Sequence, residues 1–242
     1  MRLSGRAAAS ERYELGNVLI DTLPLLDRER VVRHLEVFDA EVPECIIAHG
    51  GRYDVVLFPI DAVFSITADL RKGDVYEVAA TGRQGVIGAE IALGFHTASR
   101  SVMSQIEGRA ASMPRDTFAR CVQDSEALAR AVHRHLLRRL FVAEQFIACN
   151  FAHDVTQRCA RWVLMLADEI GRSEFLLRHE FLGMMLGLPP RAAAQAADLL
   201  SKMHVVRYAD EALAVLDRDA LLESACECYE AQLAFGPVPA AR

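Results

Sequence analysis

With 242 residues, 52% of them hydrophobic and 25% charged, the chain can bury a substantial core as one large or two moderate domains. Its 27 basic and 33 acidic side chains leave a formal charge of -6, which excludes a global attraction to nucleic acid and confines any such contact to a local basic face. No uncharged apolar stretch is long enough to span a bilayer, and the opening MRLSGRAAASERYELG lacks the apolar run of a signal peptide, so a cytoplasmic protein without a membrane partner is expected.

A flexible tail is expected over residues 1–16. From 17 to 38 the apolar positions Leu23, Leu26, Val31, Val32 and Leu35 recur at helical spacing, which predicts one or two short helices. Between 41 and 114 short runs take over: CIIA, VVLF, VFSITA, VYEVA, VIGAEIAL and MSQI. Gly-Gly, Gly-Asp, Thr-Gly-Arg and Glu-Gly breakers separate them, the pattern of an antiparallel sandwich or small barrel. Helical character returns at Arg115.

Residues 125–151 (SEALARAVHRHLLRRLFVAEQFIACNF) contain no Gly or Pro and predict a helix of roughly 40 Å at 1.5 Å per residue. Leu128, Val132, Leu136, Val142 and Phe146 trace its apolar line. A helix this long cannot bury so much apolar surface against one short neighbour, so these five residues are expected to pair with a second copy in a homodimer. A further helix is predicted over 154–170, ending near Gly171. HEFLGMMLGLPPRAAAQAADLLSKMHVV (179–206) then has the layout of two short helices hinged at Gly187. A hairpin is predicted next (MHVVRY, a turn at Ala-Asp-Glu, LAVL), and a last helix starts near Asp219. The tail AFGPVPAAR (234–242) is expected to be untethered.

The six cysteines (45, 121, 149, 159, 226, 228) form no regular framework, as in a reduced cytosolic protein. Cys226 and Cys228 are a tight pair, but two more ligands are not found nearby in the sequence, and no metal site is expected. His133 and His135 are two apart on a helix and face different ways, which makes them poor joint ligands. Redox sensing through Cys121 or Cys149 is weighed against inert packing of buried thiols. No catalytic residue or enzyme activity is indicated: no nucleophile sits in a recognised turn, and no Gly-rich phosphate loop precedes a helix.

Four segments carry a resemblance: TGRQGVIGAEIALG (81–94), Cys149-Asn150 leading to RCARWVLMLAD (158–168), HEFLGMMLGL (179–188) and ACECY (225–229). Together with the element order they resemble the Crp/Fnr family of bacterial transcription regulators over about 17–229. The resemblance implies an α+β chain: an N-terminal jelly-roll, cyclic-nucleotide-binding-like effector domain (17–124), a long dimerisation helix (125–153) and a C-terminal winged helix-turn-helix (154–233). It implies a cytoplasmic homodimer that binds duplex DNA and works with RNA polymerase. Iron–sulfur members keep an N-terminal cysteine cluster, whereas no cysteine here precedes Cys45.

Cyclic-nucleotide-binding members of the family use a Gly-Glu pair for the ribose and an arginine about ten residues later for the cyclic phosphate. The matching positions are Gly88, Glu90, Arg100 and Ser101, with the glycine and glutamate not adjacent. Two readings stay open: a small nucleotide-like effector, or a salt bridge or solvent-facing pair on a loop. The long helix lacks Ser or Thr in its middle turns, which argues against cyclic AMP specifically. No cofactor is otherwise indicated.

In such a fold the second hinged helix enters the major groove. Its start is Pro189-Pro190-Arg191-Ala192-Ala193-Ala194-Gln195, where family members in the resembling subgroup carry paired arginines and hydroxyl residues. Arg191 and Gln195, four apart, share one face suited to guanine and adenine edges. Arg178, His179, Lys202 and Arg207 are expected on phosphates. Asp210 and Glu211 put acid at the tip of the hairpin. The alternative is a structural or protein-interaction module that keeps the fold with little DNA affinity.

Overall fold

The computed structural model describes residues 14–70 and 73–236, and His179 by its backbone only. The expected tails at 1–16 and 234–242 lie mostly outside these residues.

Two short helices open the fold, α1 (Val18–Asp21) and α2 (Leu25–Val32). The Asn17 side chain caps α1 and also donates to the carbonyls of Pro59 (2.8 Å) and Gly85 (3.0 Å), fastening the helices to the strand-rich part of the chain. The helical pattern predicted through 38 stops early, because Glu36–Ala40 forms strand β1. Six more strands follow: β2 (Cys45–Ile47), β3 (Val55–Pro59), β4 (Val63–Asp69), β5 (Val75–Thr81), β6 (Ser101–Ile106) and β7 (Gly108–Pro114). They make two antiparallel sheets, β1-β7-β3 and β2-β6-β4-β5, stacked as a jelly-roll sandwich. Phe58, Phe64, Ile66, Val102 and Met113 fill the space between the sheets. The run VIGAEIAL is no strand. Its second half is a 3-10 turn (Ala89–Leu93) closed at each end by a glycine at positive φ.

Helix α3 (Arg115–Asp124) leads into α4 (Glu126–Ala152), which starts where the Ser125 hydroxyl accepts from Leu128 N. The face of α4 expected to meet a second copy is occupied within the chain. Leu128 and Val132 are fully buried in the sandwich core, with Leu136 packed beside them. Phe146 and Val142 belong to the next core. The opposite face is the one left open: His133, Leu137, Leu140, Glu144, Ile147 and Phe151 follow one another in steps of four and three. Leu137 (48% exposed), Leu140 (52%), Ile147 (62%) and Phe151 (89%) make it apolar.

Asp154 starts α5 (Val155–Ile170) with a reciprocal capping box to Gln157. Strand β8 (Glu174–Leu176), α6 (His179–Leu186), α7 (Pro190–Lys202), β9 (Val206–Ala209) and β10 (Ala212–Val215) form a winged helix-turn-helix, with the small sheet in the order β8-β10-β9. The β9–β10 turn places both Asp210 (φ 51°) and Glu211 (φ 61°) in the left-handed region, as a two-residue hairpin turn of the I′ kind requires. Helices α8 (Arg218–Ser224) and α9 (Cys228–Leu233) close the chain. The tail is not wholly untethered, for the Phe235 ring lies 4.5 Å, centroid to centroid, from that of Phe141.

The second core joins the two halves. Val63 and Ile106, from the four-stranded sheet, pack with Trp162, Leu164, Phe181 and Leu182 of the helical unit. Buried polar groups also lie in this sheet or pack on it: Ser65, Thr67, Glu77, Ser104 and Gln105. Glu169, at the last turn of α5, ties the halves together. Its carboxylate accepts from the backbone N–H groups of Gly82 (3.1 Å) and Gln84 (3.2 Å) and lies 3.4 Å from Arg138 of α4. Among the described residues no helix is long and apolar enough to cross a membrane.

Candidate nucleic-acid interface and effector loop

The helix-turn-helix is built by small residues in its seam. A Cβ on Gly183 would stand 2.9 Å from the Leu188 carbonyl oxygen, so a glycine there lets α6 meet the following turn closely. Gly187 ends α6 at φ 68°, and Pro190 is the first residue of α7, where no intrahelical N–H is required. Ala193, Ala196, Ala197 and Leu200 are buried against the rest of the unit. Three of the alanines are therefore packing residues rather than missing contacts. Only Ala192 and Ala194 lie half-buried at the border of the outer face.

That outer face presents Arg191, Gln195, Asp198, Leu199 and Lys202, all exposed. Among the described residues the side chains of Arg191, Gln195 and Lys202 have no hydrogen-bond or ion-pair partner. Asp198 was not among the residues expected on this face. It stands three positions after Gln195 and four before Lys202, on the same side of the helix. A carboxylate there opposes phosphate and accepts from a cytosine amino group.

The expected phosphate contacts divide. Arg207 on the wing lies 3.5 Å from Glu174 of β8, an exposed pair that contributes little to stability and partly neutralises the guanidinium. Arg178, just before α6, donates to the Val42 carbonyl of the sandwich (3.3 Å) and so faces the seam between the halves. The side chain of His179 is outside the described residues. First-helix contacts extend the seam: Gln105 Nε2 donates to Met185 Sδ (3.1 Å), and the Tyr76 ring borders Gly187.

The effector loop is occupied by its own side chains. Arg139 of α4 pairs with Glu90 at 2.8 Å, and burial beside the Glu90 carboxylate pushes the Tyr53 hydroxyl up to about 12. Arg100 is exposed and donates to the carbonyl of Ser99 (2.8 Å), whereas the Ser101 hydroxyl turns inward to Asp69 (2.7 Å). Glu90 and Arg100 line one small cavity with Gly88, Tyr53 and Arg139, but only about 10 Å³ of free space remains in it. Room for a nucleotide is roughly thirtyfold larger or more. In this geometry Glu90 pairs with Arg139 rather than with Arg100.

Two further clusters were not foreseen. His135 is buried between α4 and the loop after β5, its Nε2 3.1 Å from the Val86 carbonyl oxygen, and burial lowers its pKa to about 3, with Arg139 and Arg138 adding to the shift. Cys226 and Cys228, for which nearby ligands were lacking, meet Cys149 and His153 from the far side of the sequence. Burial holds the thiols of Cys121 and Cys149 above their ordinary range, opposite to what a reactive thiolate requires.

The sequence matches no protein-family model and no curated protein. Solved structures are similar over most of the chain. FixK2 from Bradyrhizobium japonicum superposes with a TM-score of 0.68 at 14% identity, over 79% of this chain and 98% of that one. The c-di-GMP-responsive global regulator CLP of Xanthomonas campestris gives 0.62 at 15%, over 79% and 99%. TTHB099, a CRP-family transcriptional regulator of Thermus thermophilus, gives 0.62 at 19%, over 85% and 100%. At these identities the likeness establishes the fold, an α+β jelly roll joined by a long helix to a winged helix-turn-helix.

Proposed function

We propose that this chain is a Crp/Fnr-type DNA-binding transcription regulator that acts as a cytoplasmic homodimer on a two-fold symmetric operator. Residues 17–124 serve as the effector domain, 125–153 as the dimerisation helix and 154–233 as the DNA-binding domain. The observation that carries the reading is the outer face of α7: within a helix-turn-helix, Arg191, Gln195 and Lys202 stand exposed on one side, without a side-chain partner among the described residues. Arg191 offers a fork to guanine, Gln195 a donor and acceptor to adenine, and Lys202 a charge to phosphate. Arg207 and Arg178 join the phosphate contacts by exchanging Glu174 and the Val42 carbonyl for DNA. The backbone at His179, at the start of α6, supports a phosphate contact from that helix end.

The dimer forms through Leu137, Leu140, Ile147 and Phe151, whose spacing matches a coiled-coil seam. A small anionic, nucleotide-like effector at Gly88, Glu90, Arg100 and Ser101 competes with Glu90 for Arg139, which belongs to the same helix. RNA polymerase is the further partner this role requires. Asp198, Asp210 and Glu211 favour one other reading, a protein-interaction module with little DNA affinity.

Selection of the purified protein against random duplex DNA at about 0.1 M salt tests both. An enriched palindrome with half-sites one helical turn apart supports the regulator. Absence of enrichment with and without candidate nucleotides, together with a flat salt dependence of duplex binding, supports the module.

A further inference from the structure

The long helix ends at Ala152, and His153, the residue after it, turns out of helical geometry. Cys149, in the last turn of the helix, and His153 nevertheless face one spot at the junction between α4 and α5. The last segment of the chain returns to this point, and its Cys226 and Cys228 face the same spot. The four ligand atoms all lie within 4.8 Å of one another. Cys149 Sγ is 3.5 Å from Cys226 Sγ, and Cys228 Sγ is 3.7 Å from His153 Nδ1. Around one tetrahedral zinc ion with bonds of about 2.0–2.3 Å, ligand atoms stand roughly 3.3–3.8 Å apart. The spacing suits a single ion, and it is too tight for cysteines arranged around a multi-iron core.

The surroundings point the same way. A histidine that ligates metal through one nitrogen donates its other N–H to an acceptor, commonly a carboxylate. His153 Nε2 lies 3.1 Å from the carboxylate of Glu227, the residue between the two cysteines. The Gln145 amide donates to Cys228 Sγ at 3.1 Å, a contact that suits a thiolate. Arg161 supplies the charge complement. Its side chain is only 1% exposed, sits 3.9 Å over the Phe146 ring and donates to Met165 Sδ, with its Nε unpartnered. Among the described residues no carboxylate lies within ion-pairing distance of it, and its electrostatic neighbours are the three thiols together with the buried Glu77 carboxyl. A divalent cation with three thiolates and one neutral imidazole carries a net charge of minus one, a counter-charge to this buried guanidinium.

We infer that Cys149, His153, Cys226 and Cys228 form a structural zinc site that staples the end of the long helix to the C-terminal segment of the DNA-binding unit. Cys149 and His153 come from the junction that sets the angle between α4 and α5, so an ion there fixes that angle. All four positions are taken by protein, which makes the site closed and non-catalytic.

The test is metal analysis of the full chain purified under reducing conditions, followed by exchange with Co²⁺ and competition against a chromophoric chelator. The expected result is about one zinc per chain, and on exchange the intense visible bands and near-ultraviolet sulfur charge-transfer of a tetrahedral Cys3His cobalt site. Cys228→Ser should lose the ion. Glu227→Gln changes only an exposed carboxylate, leaves the fold intact and should weaken zinc affinity roughly 10–100-fold; it decides the matter if Cys228→Ser does not fold. Three results would each overturn the assignment: wild-type chain that holds no zinc against a micromolar chelator, a Cys149–Cys226 disulfide under the same reducing conditions, or zinc affinity unchanged in Glu227→Gln.

Discussion

Glu77 sets a pH dependence that can be worked out from its surroundings. It is buried in β5, accepts from the Ser65 hydroxyl at 2.6 Å and leaves its second oxygen without a partner. Burial pushes its pKa from 4.5 up to about 8, against smaller opposing effects of Ser65 and Arg161. A raised carboxyl pKa means that the folded state binds more protons than the unfolded one between those two values, so stability falls as pH rises through that window. At about 1.4 kcal/mol per pH unit, Glu77 alone removes on the order of 3 kcal/mol between pH 5 and pH 8. Glu169, also raised by burial, adds a slope of the same sign.

His135 works in the opposite direction. With its pKa lowered to about 3, the stability it contributes is present above 6.5 and is lost as pH falls from there toward 3. The two slopes oppose each other between 4.5 and 6.5. The perturbation is Glu77→Gln, which keeps an acceptor for Ser65 without the titration. Urea unfolding midpoints of wild type and variant at pH 5, 6.5 and 8 give a difference in which the shared titrating groups cancel. That difference should grow steadily in favour of the variant as pH rises. A constant difference across the three pH values would refute the reasoning.

The remaining predictions concern association. Ile147→Glu, placing charge on the open face of α4, should convert the proposed dimer to monomer in light scattering after size exclusion, whereas Val142→Ala should leave the oligomeric state unchanged. Arg191→Ala should cost about 1–3 kcal/mol at one base pair and relax preference there, while Arg178→Ala should weaken binding to all sequences and flatten its salt slope; identical footprints and slopes for the two variants would contradict these roles. Asp198→Asn should tighten duplex binding measured by fluorescence anisotropy. Unchanged affinity would place Asp198 away from the nucleic acid.

Local chemistry made much of this chain legible. Ser125 and Asp154 cap the helices they precede, Gly187 and Pro190 mark the hinge, and VVLF and VFSITA are strands because their β-branched and aromatic residues fit a two-sided core. The unreadable strands are EVFDA and GRAASMP, which carry little apolar signal, and only their pairing, residue by residue across some 70 positions, makes them a sheet. The long helix misled for a different reason. It is apolar on two faces, and which one turns inward depends on where the sandwich lies. The cysteine–histidine cluster was hidden by distance, with 77 residues separating Cys149 from Cys226. Its local signs were two half-sites, the close pair Cys226 and Cys228 and, four apart at a helix end, Cys149 and His153. Asp198 was legible from spacing alone.

The alanines of α7 carry a practical consequence. Ala193, Ala196 and Ala197 set how near the helix lies to its supports, so any larger side chain there would pry the element apart. Ala192 and Ala194, at the rim, carry no such constraint and sit beside Arg191 and Gln195. Under the proposed function, those two positions are where new base preferences can be written, by serine, asparagine or arginine, without re-engineering the scaffold. The plain sequence of this helix makes the proposed regulator a ready chassis for reprogramming operator choice.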